Sequence, residues 1–497
     1  MTISSRTIVR NASFLMVSQV ITWGLSFLLT IFLPRYLGPA GIGQLQLAGS
    51  LWTIVGVIAS LGTDKLVMKE VARFPDRVGD MISSTLVLRT LLFIVGALGM
   101  LAYLELVDYP AQTVWIIWII GFGALMGQIG GTYDAALRGL ERMQYTSLAL
   151  IISFAVGALF QIGLVLMGYG VFLIAASGLI SSTINLAIQS HFLQKDYSLK
   201  LSVNRDRIRS VAQASLPYFL VSIGMVVYHQ VDIVIISLLA DEITIGWYGT
   251  AIRLYGTLLF IPNVFVMALF PALSRAYTGS PTDSNRLAQK SLNLLLLVGV
   301  PIGFGMAVLA NPIVVLLYGP AFANSGPVLA MLGLLLIVTY VNMLLGFLLI
   351  SMDRQKTMAV VMLVMTFATI LLDLILIPWT MKTFANGALG GALSYVLTES
   401  GMLIAGIALL PRGAFNRGNV QVVSKLILAG AVMAAATWAV RDAFLLIPVV
   451  VGAVTYIGMI LILRALPKED WDSFFKLGSI LLDRLRRRPT ASAELKG

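Results

Sequence analysis

An all-α polytopic membrane protein, with about fourteen helices crossing the bilayer, is the fold class this sequence predicts. Three observations predict it. Of 497 residues, 58% are hydrophobic and only 11% are charged, less than half the roughly 25% charged residues of a soluble domain. Apolar runs of about 18–25 residues, the length that spans roughly 30 Å of hydrocarbon, recur from one end of the chain to the other. The cations between those runs alternate strongly between the two sides.

The approximate spans are 11–33, 45–62, 84–106, 114–136, 147–167, 171–193, 213–239, 247–270, 289–310, 327–350, 357–378, 388–410, 423–440 and 444–464. The first follows Arg6 and Arg10 and ends in Pro34-Arg35-Tyr36-Leu37-Gly38-Pro39, a turn sequence without a small-residue cleavage site. It is therefore an uncleaved helix. With both ends placed in the cytoplasm, 30 of the 34 Lys and Arg residues fall on that side or at its helix ends. Arg35, Lys382 and Arg441 fall outside, and Arg253 lies within a span. One missed helix would scramble this pattern from that point on, so count and orientation support each other.

Composition excludes several chemistries. There is no cysteine, hence no disulfide, thiolate catalysis or cysteine metal site. The two histidines, His191 and His229, are scattered. No phosphate-binding glycine loop with a following Lys and no His-Glu-x-x-His helix appears, and the expectation is no cofactor and no metal. The net charge of +11 reads as membrane topology; a nucleic-acid surface would gather cations on one face with stacking aromatics. The external connections are short, and the longest, about 311–326, carries no charge. Glu105 and Asp108 in another external turn read as interfacial charge. The tail after Arg464 places Trp471, Phe474, Leu481 and Leu485 at helical spacing before Arg486-Arg487-Arg488. It is either a helix on the anionic inner leaflet or a solvated tail.

Ile42-Gly43 and Ile245-Gly246 open matching turns, in which Ile, Gly, Ala and Leu coincide at an offset of 203 residues. The chain then divides into a six-helix lobe over 1–193, a basic linker over 194–210, a second six-helix lobe over 211–410, helices 13 and 14 over 411–464, and a basic tail over 465–497. Parallel repeats of this kind meet around a central cavity in transporters.

Charges inside the hydrocarbon need a partner, a cavity or a function. Asp232 and Arg253 lie at similar expected depths on adjacent antiparallel helices, with His229 one turn from Asp232. Two readings stand: an ion pair locking helices 7 and 8, or a cavity in which Arg253 holds a pyrophosphate while Asp232 and His229 serve proton or cation coupling. Arg89, two turns into helix 3, reads as snorkelling to the headgroups, with a pyrophosphate contact as the second reading. Glu399, mid-helix, faces protein or cavity and is a candidate for coupling. Asp373 and Asp134 read as interfacial, the latter within reach of Arg138. Pro217, Pro262 and Pro301 bend helices 7, 8 and 9. Gly123, Gly127 and Gly131 form a small-residue stripe for close packing.

Asn11-Ala12-Ser13-Phe14, Pro34-Arg35-Tyr36-Leu37-Gly38-Pro39-Ala40-Gly41-Ile42-Gly43 and Leu269-Phe270-Pro271-Ala272-Leu273-Ser274-Arg275 carry a resemblance. With the count of twelve plus two helices, the whole chain resembles the polysaccharide (O-antigen type) flippases of the multidrug/oligosaccharidyl-lipid/polysaccharide exporter superfamily. The resemblance implies a polyprenyl-pyrophosphate oligosaccharide moved from inner to outer leaflet by alternating access. It also implies membrane lipids, a coupling proton or sodium ion and a polysaccharide polymerase as partners. Alternatives are a peptidoglycan-precursor flippase, a cation-coupled multidrug antiporter, or, in another class, a membrane glycosyltransferase or polymerase. Helices 1 and 2 lack the acids an antiporter would want there, and the short loops disfavour an enzyme.

Overall fold

The computed structural model describes residues 5–197, 204–279, 281–411, 413–465 and 467. Among them the regular structure is helical, with no strand. The order is α1 (Ser5–Ser60), α2 (Thr63–Arg73), α3 (Val78–Leu106), α4 (Ala111–Gly139), α5 (Met143–Leu166), α6 (Val171–Gln194), α7 (Arg205–Leu239) and α8 (Glu242–Leu258). There follow α9 (Phe260–Gly279), α10 (Pro281–Tyr318), α11 (Ser325–Ser351), α12 (Gln355–Phe384), α13 (Gly387–Leu409), α14 (Arg417–Ala439) and α15 (Leu446–Leu463).

Thirteen stretches among the described residues are long and apolar enough to cross a membrane, and the first, Val17–Arg73, is 57 residues long. At 1.5 Å per residue that is about 85 Å, far beyond one crossing. Gly38 divides it: its φ of 69° and ψ of 178° lie where an L side chain is strained, so α1 is two limbs and the crossings number fourteen. A second break at Leu61 and Gly62, both with positive φ, turns the chain into α2. A Cβ on Gly62 would lie 2.6 Å from the Phe219 backbone nitrogen, so glycine lets α2 sit directly on α7.

Contacts divide the chain into two compact units. One comprises Met1–Arg253, Val314–Val328 and Met362–Thr398; the other comprises Leu254–Ile313, Leu329–Val361 and Glu399–Gly497. In the first, α4 packs on α6, α5 on α6, and α1 on α4, α5 and α7. Val67, Val71, Ile82, Tyr133, Leu137 and Leu193 form a core at the end of these helices that the sequence reads as cytoplasmic. In the second, buried leucines such as Leu332, Leu336 and Leu345 are joined by close backbone approach. A Cβ on Gly333 would meet the Ala307 nitrogen at 2.9 Å, and α14 packs on α15 with Tyr456 donating to the Leu297 carbonyl. The outward residues, Leu98, Leu159, Phe367, Ile404 and Ile462 among them, are exposed and apolar, as a lipid-facing surface requires.

Pro217 and Pro301 lie inside α7 and α10, as their sequence positions suggest. Pro262 instead follows an interruption at Leu259 that separates α8 from α9. The 311–326 connection is largely ordered: α10 runs to Tyr318, and a 3-10 turn at Pro320–Phe322 leads into α11. The tail beyond Pro467 lies outside the described residues.

Candidate functional site

The membrane-embedded charges separate into three groups by how each is compensated. Arg89 is 2% exposed. Its Nε donates to Thr63 Oγ1 at 2.8 Å, Nη1 to the Gln128 carbonyl at 3.0 Å, and Nη2 to Asp64 Oδ1 at 2.6 Å. It does not snorkel: the turn at Leu61 and Gly62 brings the start of α2 under α3, and Asp64 supplies the counter-charge within the protein. With its guanidinium spread over three acceptors, Arg89 is a structural clamp among α2, α3 and α4.

That clamp borders a cavity of about 660 Å³ whose wall includes Gly123, Gly127, Gly131, Gln128 and Ser222. The glycine stripe of α4 is thus only partly a packing surface. A Cβ on Gly123 would touch Leu179 at 3.5 Å and one on Gly131 would touch Arg89 at 3.1 Å, whereas Gly127 has nothing within 4 Å. Asp134 pairs with Arg138 at 2.7 Å, the partner one turn on that its spacing allows.

The second group is a pair of acids. Asp232 is buried against Tyr248, whose hydroxyl donates to Asp232 Oδ2. Asp373, fully buried, lies beside both Asp232 and Ser394. Asp232 Oδ1 and both Asp373 carboxyl oxygens have no hydrogen-bond donor. The expected ion pair between Asp232 and Arg253 does not form, and depth explains why. Because α8 begins at Glu242, Arg253 is eleven residues in, about 16 Å, while Asp232 is seven residues from the end of α7, about 10 Å. Tyr248, six residues into α8, is the residue at the matching level. Asp373 is likewise no interfacial acid. Because α12 continues to Phe384, Asp373 sits eleven residues from that end. His229, one turn from Asp232, is exposed and makes a ring contact with Tyr228, so it does not join the acids.

The third group is Arg253 alone. Among the described residues it has no ion pair and no hydrogen bond. Its side chain is surface-accessible though crowded by protein, with the Tyr318 hydroxyl nearby. Tyr318 Oη is itself buried without a partner. Glu399 contrasts with it: buried, it accepts from Asn342 Nδ2 at 2.8 Å and Thr339 Oγ1 at 3.2 Å, and Tyr255 donates to Thr339.

On the side the sequence reads as external, the matched turns meet each other. A Cβ on Gly43 would lie 1.8 Å from the Glu242 carbonyl oxygen, and one on Gly246 2.0 Å from the Pro39 carbonyl oxygen. Under the offset of 203 these two contacts map onto each other, Gly43 onto Gly246 and Pro39 onto Glu242, and a third joins two residues 203 apart, with a Gly249 Cβ lying 2.7 Å from Gln46 Cγ. The clasp is therefore isologous, each turn using the same positions toward the other. Thr113 ties it down, accepting from Gln44 at 3.1 Å and donating to Glu242 Oε1 at 2.9 Å. Nearby, Tyr109 bonds Ser237 at 2.7 Å; burial pushes its hydroxyl well above the usual tyrosine range, so it stays protonated.

Sequence reasoning named Arg253, Arg89, His229, Asp232 and Glu399 but missed Asp64, Tyr248 and the partnership of Asp373. An acid in the otherwise apolar Ile370-Leu371-Leu372-Asp373-Leu374-Ile375-Leu376 was the available signal for the last.

Comparison with known proteins fits this architecture. Over 405 residues the chain is 21% identical to a probable low-salt glycan biosynthesis flippase of Haloferax volcanii, covering 78% of this chain and 80% of that one. Over 345 residues it is 24% identical to the succinoglycan biosynthesis transport protein ExoT of Rhizobium meliloti, covering 67% of each. The fold is similar to that of a lipid II flippase, MurJ, in an inward closed conformation, with TM-score 0.72, 15% identity, 92% of this chain and 99% of that one. It is also similar to an inward-facing multidrug resistance MATE family transporter, with TM-score 0.64, 15% identity, 85% of this chain and 98% of that one. The family model described as polysaccharide biosynthesis protein matches residues 8–277, more than half of the chain, and the chain belongs to that family.

Proposed function

We propose that this chain is a flippase that carries a polyprenyl-pyrophosphate-linked oligosaccharide from the inner to the outer leaflet of the cell membrane, for surface polysaccharide assembly. Family membership and the relatives named for glycan biosynthesis and transport support the cargo class. The observation that carries the reading is Arg253, a membrane-embedded guanidinium with no protein counter-charge among the described residues. A guanidinium presents a planar fork of donors that fits phosphate oxygens, and a pyrophosphate would supply the missing negative charge. Arg89, by contrast, already has Asp64 as its counter-charge and two further protein acceptors, and His229 keeps only an accessible ring.

Asp232 and Asp373 are the coupling site in this reading. Two carboxyl groups in contact in a low-dielectric interior cannot both stay ionised without a proton or cation between them. A proton or a sodium ion entering there is held by oxygens that at present have no donor. The glycine clasp is the outer gate: closed, it seals the external side while cargo enters from the cytoplasm, where both termini lie. Its opening would separate the matched turns and release the cargo outward. The chain performs no bond-making step in this scheme; a polysaccharide polymerase acts on the delivered lipid.

Three outcomes test the scheme. Arg253→Ala abolishes surface polysaccharide while membrane insertion, measured by immunoblot of the membrane fraction, is unchanged; normal polysaccharide in that variant removes Arg253 from the mechanism. Asp373→Asn leaves some downhill flipping in proteoliposomes but makes it insensitive to imposed proton and sodium gradients, and retained sensitivity to either gradient refutes the coupling role. Gly246→Val prevents the clasp from closing. A reporter Gln46→Cys, in a chain with no other cysteine, then reacts severalfold faster with an impermeant external maleimide than in the Gly246 parent; equal rates mean the clasp is not a gate.

A further inference from the structure

The longest connection on the side the sequence reads as external does not group with the helices it joins. Val314–Val328 belongs by contact to the first unit, although the residues on both sides of it in sequence, Leu254–Ile313 and Leu329–Val361, belong to the second. Its inner face is buried through Val314, Tyr318, Phe322, Ser325 and Val328, while Leu316, Pro320, Ala321 and Asn324 are exposed. The last carbonyls of a helix and those around a short turn have no partner within their own element. Here other elements of the first unit supply the donors. The Leu316 carbonyl accepts from Arg35 Nη2, the Ala321 carbonyl from Trp247 Nε1 at 3.1 Å, and the Asn324 carbonyl from Asn386 Nδ2 at 2.9 Å. The Thr250 and Ser325 hydroxyls share a hydrogen bond at 3.1 Å.

Arg35 and Trp247 make their bonds at exposed positions, where water can replace either partner at small net cost. Such bonds break without leaving a buried polar group unmet. Pro312, inside α10 just before the segment, removes one helical bond at the place where a moving segment would bend. Within the segment, Gly319 has a φ of 95° and Pro320 follows it, so the turn keeps its own shape. Its position matters for Arg253. Thr250 precedes Arg253 by three residues on the same side of α8, about 5 Å nearer the external end. Tyr318 of the segment lies near Arg253. The segment therefore covers Arg253 from the external side.

We propose that Val314–Val328 is a lid over Arg253, latched by Arg35, Trp247, Asn386 and the Thr250–Ser325 pair, and that release of the latch opens the external approach to Arg253. The lid governs access whatever Arg253 binds, so it does not depend on the chain being a flippase. In a flippase it is a second external barrier beside the glycine clasp.

Two arms test it with the full chain. In intact cells, a reporter Arg253→Cys, in a chain with no other cysteine, is labelled by an impermeant maleimide added outside. Trp247→Phe with Arg35→Met removes two latch donors and raises the labelling rate about fivefold, the loss of one net hydrogen bond. Trp379→Phe, at an exposed indole outside the latch, leaves the rate unchanged. An unchanged rate in the latch variant, or an equal rise in Trp379→Phe, overturns the proposal. In the second arm, Thr250→Cys with Ser325→Cys puts two thiols where the hydroxyls lie 3.1 Å apart, and diamide oxidation locks the lid. Leaflet transfer of a polyprenyl-pyrophosphate oligosaccharide in liposomes then stops and returns on reduction. A segment that is only structural is already in place and is indifferent to the lock, so undiminished transfer by the disulfide form overturns the lid. Failure of the disulfide to form contradicts the latch geometry and overturns it too. If the parent chain transfers no such lipid, the flippase reading fails, and the labelling arm still decides the lid.

Discussion

The constraint on which this structure depends is that nothing polar in the hydrocarbon can rely on water. Every backbone group must be satisfied inside its own helix, and every charge by a neighbour. The first requirement makes the chain helical throughout its spans. The second makes the few buried charges informative, because each must show what compensates it. Arg89 has Asp64, Thr63 and a carbonyl; Glu399 has an amide and a hydroxyl. Asp232 and Asp373 have chiefly each other and Tyr248. Arg253 has no carboxylate at all among the described residues. That graded compensation is the basis on which the proposed function assigns Arg89 and Glu399 to the fold, and Arg253, Asp232 and Asp373 to cargo and coupling.

The glycines follow a related logic. Where two backbones must approach until a single methyl would collide, only glycine serves. Gly43 and Gly246 do so on one side of the first unit against carbonyl oxygens. In the proposed scheme this is the contact that parts when the external side opens. Gly38 acts through its backbone angles instead. Its positive φ folds the long N-terminal helix into two crossings, so it sets the register of the turn that carries Gly43.

Much of the fold was legible in the sequence. Length and apolarity gave the crossings, and the sidedness of cations agreed with that count, because both follow from transfer energies that act on composition. The offset of 203 residues was also visible, and the same offset recurs in three dimensions at the clasp. The site was less legible. Depth estimates depended on helix ends, and ends set from hydropathy alone stopped α12 six residues early and began α8 five residues late. Those errors made Asp373 look interfacial and made Arg253 look level with Asp232. The pairing of residues 141 positions apart leaves no periodic trace in a single chain, and the turn that carries Asp64 to Arg89 depends on two left-handed backbone angles at Leu61 and Gly62. Local pattern predicts elements; it does not predict which charges meet.

The claim that joins these points is that Arg253 lacks a protein partner because its partner is the cargo's pyrophosphate. It is tested most directly by measuring binding and leaflet transfer of the same oligosaccharide on polyprenyl pyrophosphate and on a neutral polyprenyl ether, with purified protein in liposomes. The account predicts that the parent chain binds and transfers the pyrophosphate lipid far better than the ether, and that Arg253→Gln erases this preference while Arg253→Lys retains part of it. A preference undiminished in Arg253→Gln would contradict the account.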